Sequence, residues 1–242
     1  MTTIRGARER ARIEVTAAIK DEARRRLADE GAAKLSLRAV ARELGMVSSA
    51  LYRYFPSRDD LLTALIIDAY NAVGEAAENA LAQARTGTGT GKRGGAGDRA
   101  DHVAHWVAIC ARVRAWALAH PHEYALIHGS PVPDYTAPMS TAGPASRVAL
   151  TLIQVLRDAH EEGALTPPPP AADLREEDRR LADEFMPGLP PGTAVALVAA
   201  WAQFYGLISF EIFGQFNRVV EARDALFTRA TTRLAHEVGL TG

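Results

Sequence analysis

The stretch Leu35–Leu65, LSLRAVARELGMVSSALYRYFPSRDDLLTAL, decides the fold. Ser36 is a good N-cap, and Leu37, Val40, Ala41 and Leu44 then fall on one face of a short helix that Gly45 closes. A second short helix is expected from Val47 to Phe55. Leu51 and Phe55, at i and i+4, turn into a core, while Ser48, Ser49, Tyr52 and Arg53 are left to face outward. Pro56 stops this helix, and Ser57-Arg58-Asp59-Asp60 is a capping box that opens a long helix through Leu61, Leu62, Leu65, Ile66 and Ala69 toward Ala84. Before it all, Val15, Ile19, Ala23 and Leu27 mark an amphipathic helix over Arg8–Glu30, ended by Gly31. Two short helices joined by a glycine turn and braced by a third are the design that lets one helix enter a DNA major groove about 12 Å wide.

Working outward, the charge supports that reading. Residues 1–58 hold thirteen Lys/Arg against seven Asp/Glu, a net +6, and residues 59–242 hold fifteen against twenty-two, a net −7. A basic head on an acidic body suits a polyanion gripped at one end. The remainder reads as further helices with no alternating strand pattern, so the fold class is all-α: a helix-turn-helix domain over 1–58 and a helical domain over 59–242. Val103, Trp106, Cys110, Val113 and Ala117 outline one body helix, and Val148, Leu152, Val155, Leu156 and Ala159 another. His120–Pro144 is a loop or a broken helix. Flexible segments are expected near 86–97, where TGTGTGKRGGA is glycine-rich, and over 166–192, which opens on four consecutive prolines. The apolar run Ala194–Phe213 has membrane-spanning length but carries Gln203, Tyr205, Ser209 and Glu211 without a basic flank, so it reads as a packed helix and no membrane partner is expected. No signal sequence opens the chain, so a cytoplasmic protein is expected.

From Leu35 to Leu65, and in the preceding helix ending at Glu30-Gly31, the sequence resembles the tetracycline-repressor family of regulators. The resemblance implies a homodimer, paired through its last two helices, that binds double-stranded DNA at a pseudo-palindromic operator and answers to a small-molecule effector. It also places residues. Ser36 and Arg38 fall where relatives touch backbone phosphate, and Ser48, Ser49 and Tyr52 fall on the reading helix. Tyr54 stands where the family often has His and Arg58 where it often has Lys, both phosphate contacts. Arg53 faces outward beside them. Val47 departs from the family, which often has Ser or Thr at that N-cap. The body resembles the subset with a Trp-His-Gly pattern: Trp201 and Gly206 are kept, and Tyr205 replaces the His.

Chemistry in the body is sparse. His102 and His105 have metal-ligand spacing, but no Asp, Glu or Cys completes a site. The single cysteine, Cys110, excludes a disulfide framework and sits on an apolar face. Ser130 and Ser140 lie in no nucleophile elbow, and no phosphate-cradling loop is present. The sequence therefore predicts no enzyme, no metal and no cofactor. Trp106, Cys110, Trp116, Tyr124, Trp201, Phe204 and Tyr205 are the candidate lining for a hydrophobic or aromatic effector. The rival reading, a small-molecule carrier or sensor without DNA readout, requires the basic head to be incidental.

Overall fold

The computed structural model describes residues 2–87, 101–169 and 172–241. The expected flexible segment at 86–97 falls mostly outside them. Ten α-helices make up the described chain: α1 Thr2–Glu30, α2 Leu37–Glu43, α3 Ser48–Leu51, α4 Arg58–Gly87, α5 His102–Ala119, α6 Pro121–His128, α7 Ala142–Glu161, α8 Arg175–Phe185, α9 Thr193–Ile212 and α10 Arg223–Glu237. The one β contact among the described residues is an isolated antiparallel bridge between Leu165 and Leu240. The chain divides into two compact units, residues 1–71 with 120–144 and residues 72–119 with 145–242. The division thus falls within α4, and the segment 120–144 rejoins the first unit.

Unit 1 is built on the apolar spacing read from the sequence. Ile19, Ala23 and Leu27 of α1 meet Leu37, Val40 and Ala41 of α2, Leu51 and Phe55 of the α3 segment, and Leu61, Leu62 and Leu65 of α4 in one buried cluster. Removing such a side chain costs about 2–5 kcal/mol. Gly31 at φ 77° and Gly45 at φ 64° make the two left-handed turns that free α2 at both ends. Polar ties fix the other faces. Asp68 of α4 accepts from Lys20 Nζ at 2.9 Å and Arg24 Nη2 at 2.7 Å, and Arg24 Nε reaches Glu123 of α6 at 3.3 Å. Thr63 and Tyr135 share a hydroxyl–hydroxyl bond of 2.9 Å. The His120–Pro144 region is the broken helix: α6 opens on Pro121 and is followed by an irregular stretch.

In unit 2, α5 packs against α9 and α10, and α8 against α9. Arg114 of α5 is the central clamp. Its Nε and Nη2 donate to the two carboxylate oxygens of Glu211 at 2.7 Å each, Nη2 also meets Asp224 at 2.7 Å, and the guanidinium lies 5.0 Å over the Phe227 ring. Arg147 of α7 forks onto Glu78 of α4 at 2.8 and 2.6 Å, a bond that pulls the Glu78 carboxyl below its ordinary pKa. The segment 166–192, expected to be flexible, contains α8. Its charges pair within the helix, Arg180 with Glu177 at 2.6 Å and Glu184 at 3.1 Å. Asp178, buried, accepts from the backbone N–H groups of Gly192 and Val195 and so caps α9. A local reading of prolines and charges gives no sign of that distant cap.

Candidate nucleic-acid interface and effector region

The helix-turn-helix is held from behind and open in front. Ser36 Oγ accepts from the Ala39 N–H at 3.5 Å, a long N-cap that starts α2. Val47 has extended backbone and caps nothing with its side chain, so α3 starts at Ser48 and spans only Ser48–Leu51. The chain continues to Phe55 as helical turns, with Tyr54 N–H bonded to Leu51 O at 2.8 Å and Phe55 N–H to the same oxygen at 3.1 Å. Leu51 and Phe55 are buried as expected, whereas Ser48, Ser49, Tyr52 and Arg53 are exposed, as are Ser36 and Arg38. Small hydroxyls, a phenol and guanidinium groups on one short polar ridge can donate to phosphate oxygens and reach base edges. Behind the ridge, the capping box forms: Ser57 Oγ donates to Asp60 Oδ2 at 2.7 Å and accepts from the Asp60 N–H at 3.1 Å.

Two expected phosphate contacts are otherwise engaged. Arg58 donates to the carbonyls of Ala32 at 2.9 Å, Ala33 at 3.3 Å and Leu35 at 3.2 Å, tying the turn between α1 and α2 to the first turn of α4. It acts here as a positioning residue. Tyr54 is half-buried against the core, with the Arg12 guanidinium 6.0 Å over its ring.

The effector candidates divide between the units. In unit 2, Trp106 and Cys110 are fully buried on α5 and Trp116 nearly so, and burial raises the Cys110 thiol pKa, keeping it a neutral apolar group. On α9, Phe204 is buried with its ring centroid 4.8 Å from Tyr205 and 6.2 Å from Phe227, and Trp201 lies 5.9 Å from Tyr205. Tyr124 belongs to unit 1, where His128 is 5.0 Å from it and 6.1 Å from Tyr70. Burial pushes the His128 imidazole down to a pKa of about 4. The grooves on unit 2 have other linings: one of about 320 Å³ runs along Gln203, Gly206, Phe210 and Arg233, and one of about 330 Å³ along Glu78, Arg85, Arg147 and Leu150.

His102 and His105 are both buried, their rings edge to face at 5.8 Å. His102 Nε2 pairs with Glu162 at 3.1 Å, while both His105 nitrogens and the Trp106 indole N–H lack a partner among the described residues. Burial, then the neighbouring His102, lowers the His105 pKa. No group of three metal-ligating side chains occurs among the described residues. Sequence reasoning missed the Arg114–Glu211 clamp; its one signal was Glu211, a carboxylate inside the apolar run 194–213.

Comparison with known proteins places this geometry in a family. Residues 19–65 match the profile of bacterial regulatory proteins of the tetR family, and residues 106–234 that of the tetracyclin repressor-like C-terminal domain. The chain is 38% identical over 243 residues to the HTH-type transcriptional regulators Rv1816 of Mycobacterium tuberculosis and Mb1846 of Mycobacterium bovis, which covers 95% of this chain and 94% of each relative. Among solved structures, SCO4313 superposes with a TM-score of 0.71 at 32% identity over 94% of this chain and 98% of that one. A structure from Rhodococcus sp. RHA1 superposes with a TM-score of 0.67 at 20% identity, over 94% and 95%.

Proposed function

The chain belongs to the tetracycline-repressor family of helix-turn-helix transcriptional regulators, and from that premise we propose that it is a cytoplasmic homodimeric repressor, released from its operator by a small hydrophobic or aromatic effector. The observation that carries the DNA half of this reading is the exposed ridge Ser48, Ser49, Tyr52 and Arg53 on an apolar spine of Leu51 and Phe55, flanked by Ser36 and Arg38. Two such ridges about 34–36 Å apart meet successive major grooves of a pseudo-palindromic site. Pairing through α9 and α10 is supported by the uncovered apolar side of α9, where Val198 and Phe210 are each 52% exposed. A Cβ added at Gly206, beside them, would meet nothing within 4 Å, which leaves room for a partner's backbone. Effector binding among the aromatic residues of α5 and α9 shifts the dimer toward a head spacing that misses the groove repeat.

Fluorescence anisotropy of the full chain against its own upstream intergenic DNA and a scrambled duplex tests the proposal. Tight, salt-sensitive binding that prefers the native duplex and is lost in Arg38→Ala with Tyr52→Ala supports it. Equal, weak binding to both duplexes under all salt conditions overturns it in favour of a carrier without DNA readout.

A further inference from the structure

α1 is 29 residues long, yet from residue 6 onward its first fully buried side chain is Ile19, and residues 6–14 are all exposed. From Arg8 to Val15 the helix advances about 10 Å without entering the core. The arginines on either side of that point are treated differently. Arg24 is bonded to Asp21, Asp68 and Glu123, Arg25 to Glu22, and Arg26 to Glu22 and Glu30. Arg8 and Arg12 have no acid partner among the described residues, although they stand one turn apart on the same helix face. Like charges at that spacing cost the helix a few tenths of a kcal/mol. Glu9 and Glu14 lie along the same stretch but bond to neither Arg8 nor Arg12 among the described residues, whereas the acids of the second half of α1 are engaged by its cations.

The position of Arg12 gives the unpaired face a destination. Its guanidinium lies over the Tyr54 ring, two residues along from Tyr52 of the reading ridge. The exposed half of α1 therefore leaves the core beside the ridge that meets DNA. We propose that Arg8 and Arg12 extend the DNA interface along α1 and hold backbone phosphates of the duplex outside the bases read by the α3 ridge. This rests on the DNA-binding reading above and adds a contact that neither the helix-turn-helix pattern nor Arg58 supplies. Phosphate contacts of this kind position the protein without reading sequence, so their loss weakens binding to native and scrambled duplexes alike.

The test is the salt dependence of binding by the full chain, measured on the intergenic duplex it prefers and on a scrambled one. Each phosphate contact contributes about 0.9 to the slope of log K against log salt. Arg8→Ala with Arg12→Ala is expected to make the slope shallower by about 2, so that a fourfold rise in salt costs about tenfold less affinity than in the parent chain. The preference for the native duplex stays as it was. Arg25→Ala, which removes a cation already paired with Glu22, leaves the slope unchanged. Should the double variant lose helicity by circular dichroism because Tyr54 is uncovered, Arg8→Ala alone is read, with a slope change of about 1. A parent-like slope in a folded Arg8 variant overturns the proposal while leaving the DNA-binding reading intact. A parent chain that binds neither duplex overturns both.

Discussion

Two helices leave a face uncovered, and they do so with opposite chemistry. The α3 ridge presents Ser48, Ser49, Tyr52 and Arg53, donors and a cation, with only the half-buried Ala50 among them and the exposed Val47 ahead of them. α9 presents Val198, Phe210 and, just past its end, Phe213, with the small Ala199 and Ala202 alongside. A donor-rich ridge loses little in water and gains from a polyanion, whereas an apolar stripe gains only by leaving water. On the function proposed above, the first face is met by a nucleic-acid backbone and the second by another copy of the same stripe. α9 is also long and apolar enough to span a bilayer by composition, with a third of its apolar window buried. Its C-terminal end is pinned to α5 by the Arg114–Glu211 pair, which fits a helix packed within a protein.

The sharpest way to break this comparison is to make the α9 face resemble the α3 face. Gly206→Glu places a charge in the stripe where a Cβ has open space, so the single chain folds normally. Sedimentation should then report a monomer, and affinity for the full operator should fall by about 10²–10⁴ because two linked heads become one. A variant that stays dimeric removes α9 from the interface. Next come the residues that hold each face from behind. Arg114→Ala leaves the mostly buried Glu211 carboxylate unpaired, and urea unfolding should show a loss of about 3–5 kcal/mol. Leu51→Ala removes the spine of the ridge, with an expected cost of about 2–5 kcal/mol and a loss of operator binding at temperatures where the body remains helical.

Acid should act on the two units through one imidazole in each, the half-buried His128 and the buried His105. The folded His128 has its pKa depressed to about 4, so it stays neutral while an unfolded His takes a proton near its ordinary value of 6.5. The unfolded chain therefore binds more protons between those limits, and stability falls as the pH drops from about 6.5 toward 4. His105 shifts the same way and adds to the loss. Thermal melts of His128→Phe should show a smaller drop over that window; an unchanged drop places the acid sensitivity elsewhere. The smallest effect is a gain. His105→Leu removes two buried nitrogens that have no partner among the described residues and should raise stability by about 1 kcal/mol, or roughly 2–4 °C in Tm.

What the sequence revealed is local in origin. The N-cap at Ser36, the glycine turn at Gly45, the Leu51/Phe55 spine and the Ser57–Asp60 box depend on residues a few positions apart, and each is found where spacing put it. The start of α3 at Ser48 follows from the extended backbone of Val47, which stands as an N-cap with no side-chain oxygen to offer. What stayed hidden depends on partners far along the chain. Arg58 looks like another surface cation until its carbonyl acceptors in the 32–35 turn are seen, and Glu123 shows no kinship with α1 until Arg24 reaches it. The acidic-basic run at 175–184 reads as solvated charge, because nothing in it says that Asp178 ends up buried beneath the start of α9.

The division of the chain also sets a schedule for making the head. Unit 1 draws on residues 1–71 and then on 120–144, with all of α5 made in between. At about 5–20 residues per second, a ribosome needs roughly 4–15 s to pass from the end of the first segment to the end of the second. Through that interval the DNA-binding helices exist without α6, and Arg24 has Asp21 and Asp68 but not Glu123. The newborn head is therefore an unfinished one, and the part of the protein that meets DNA is completed only when more than half of the chain has been synthesised.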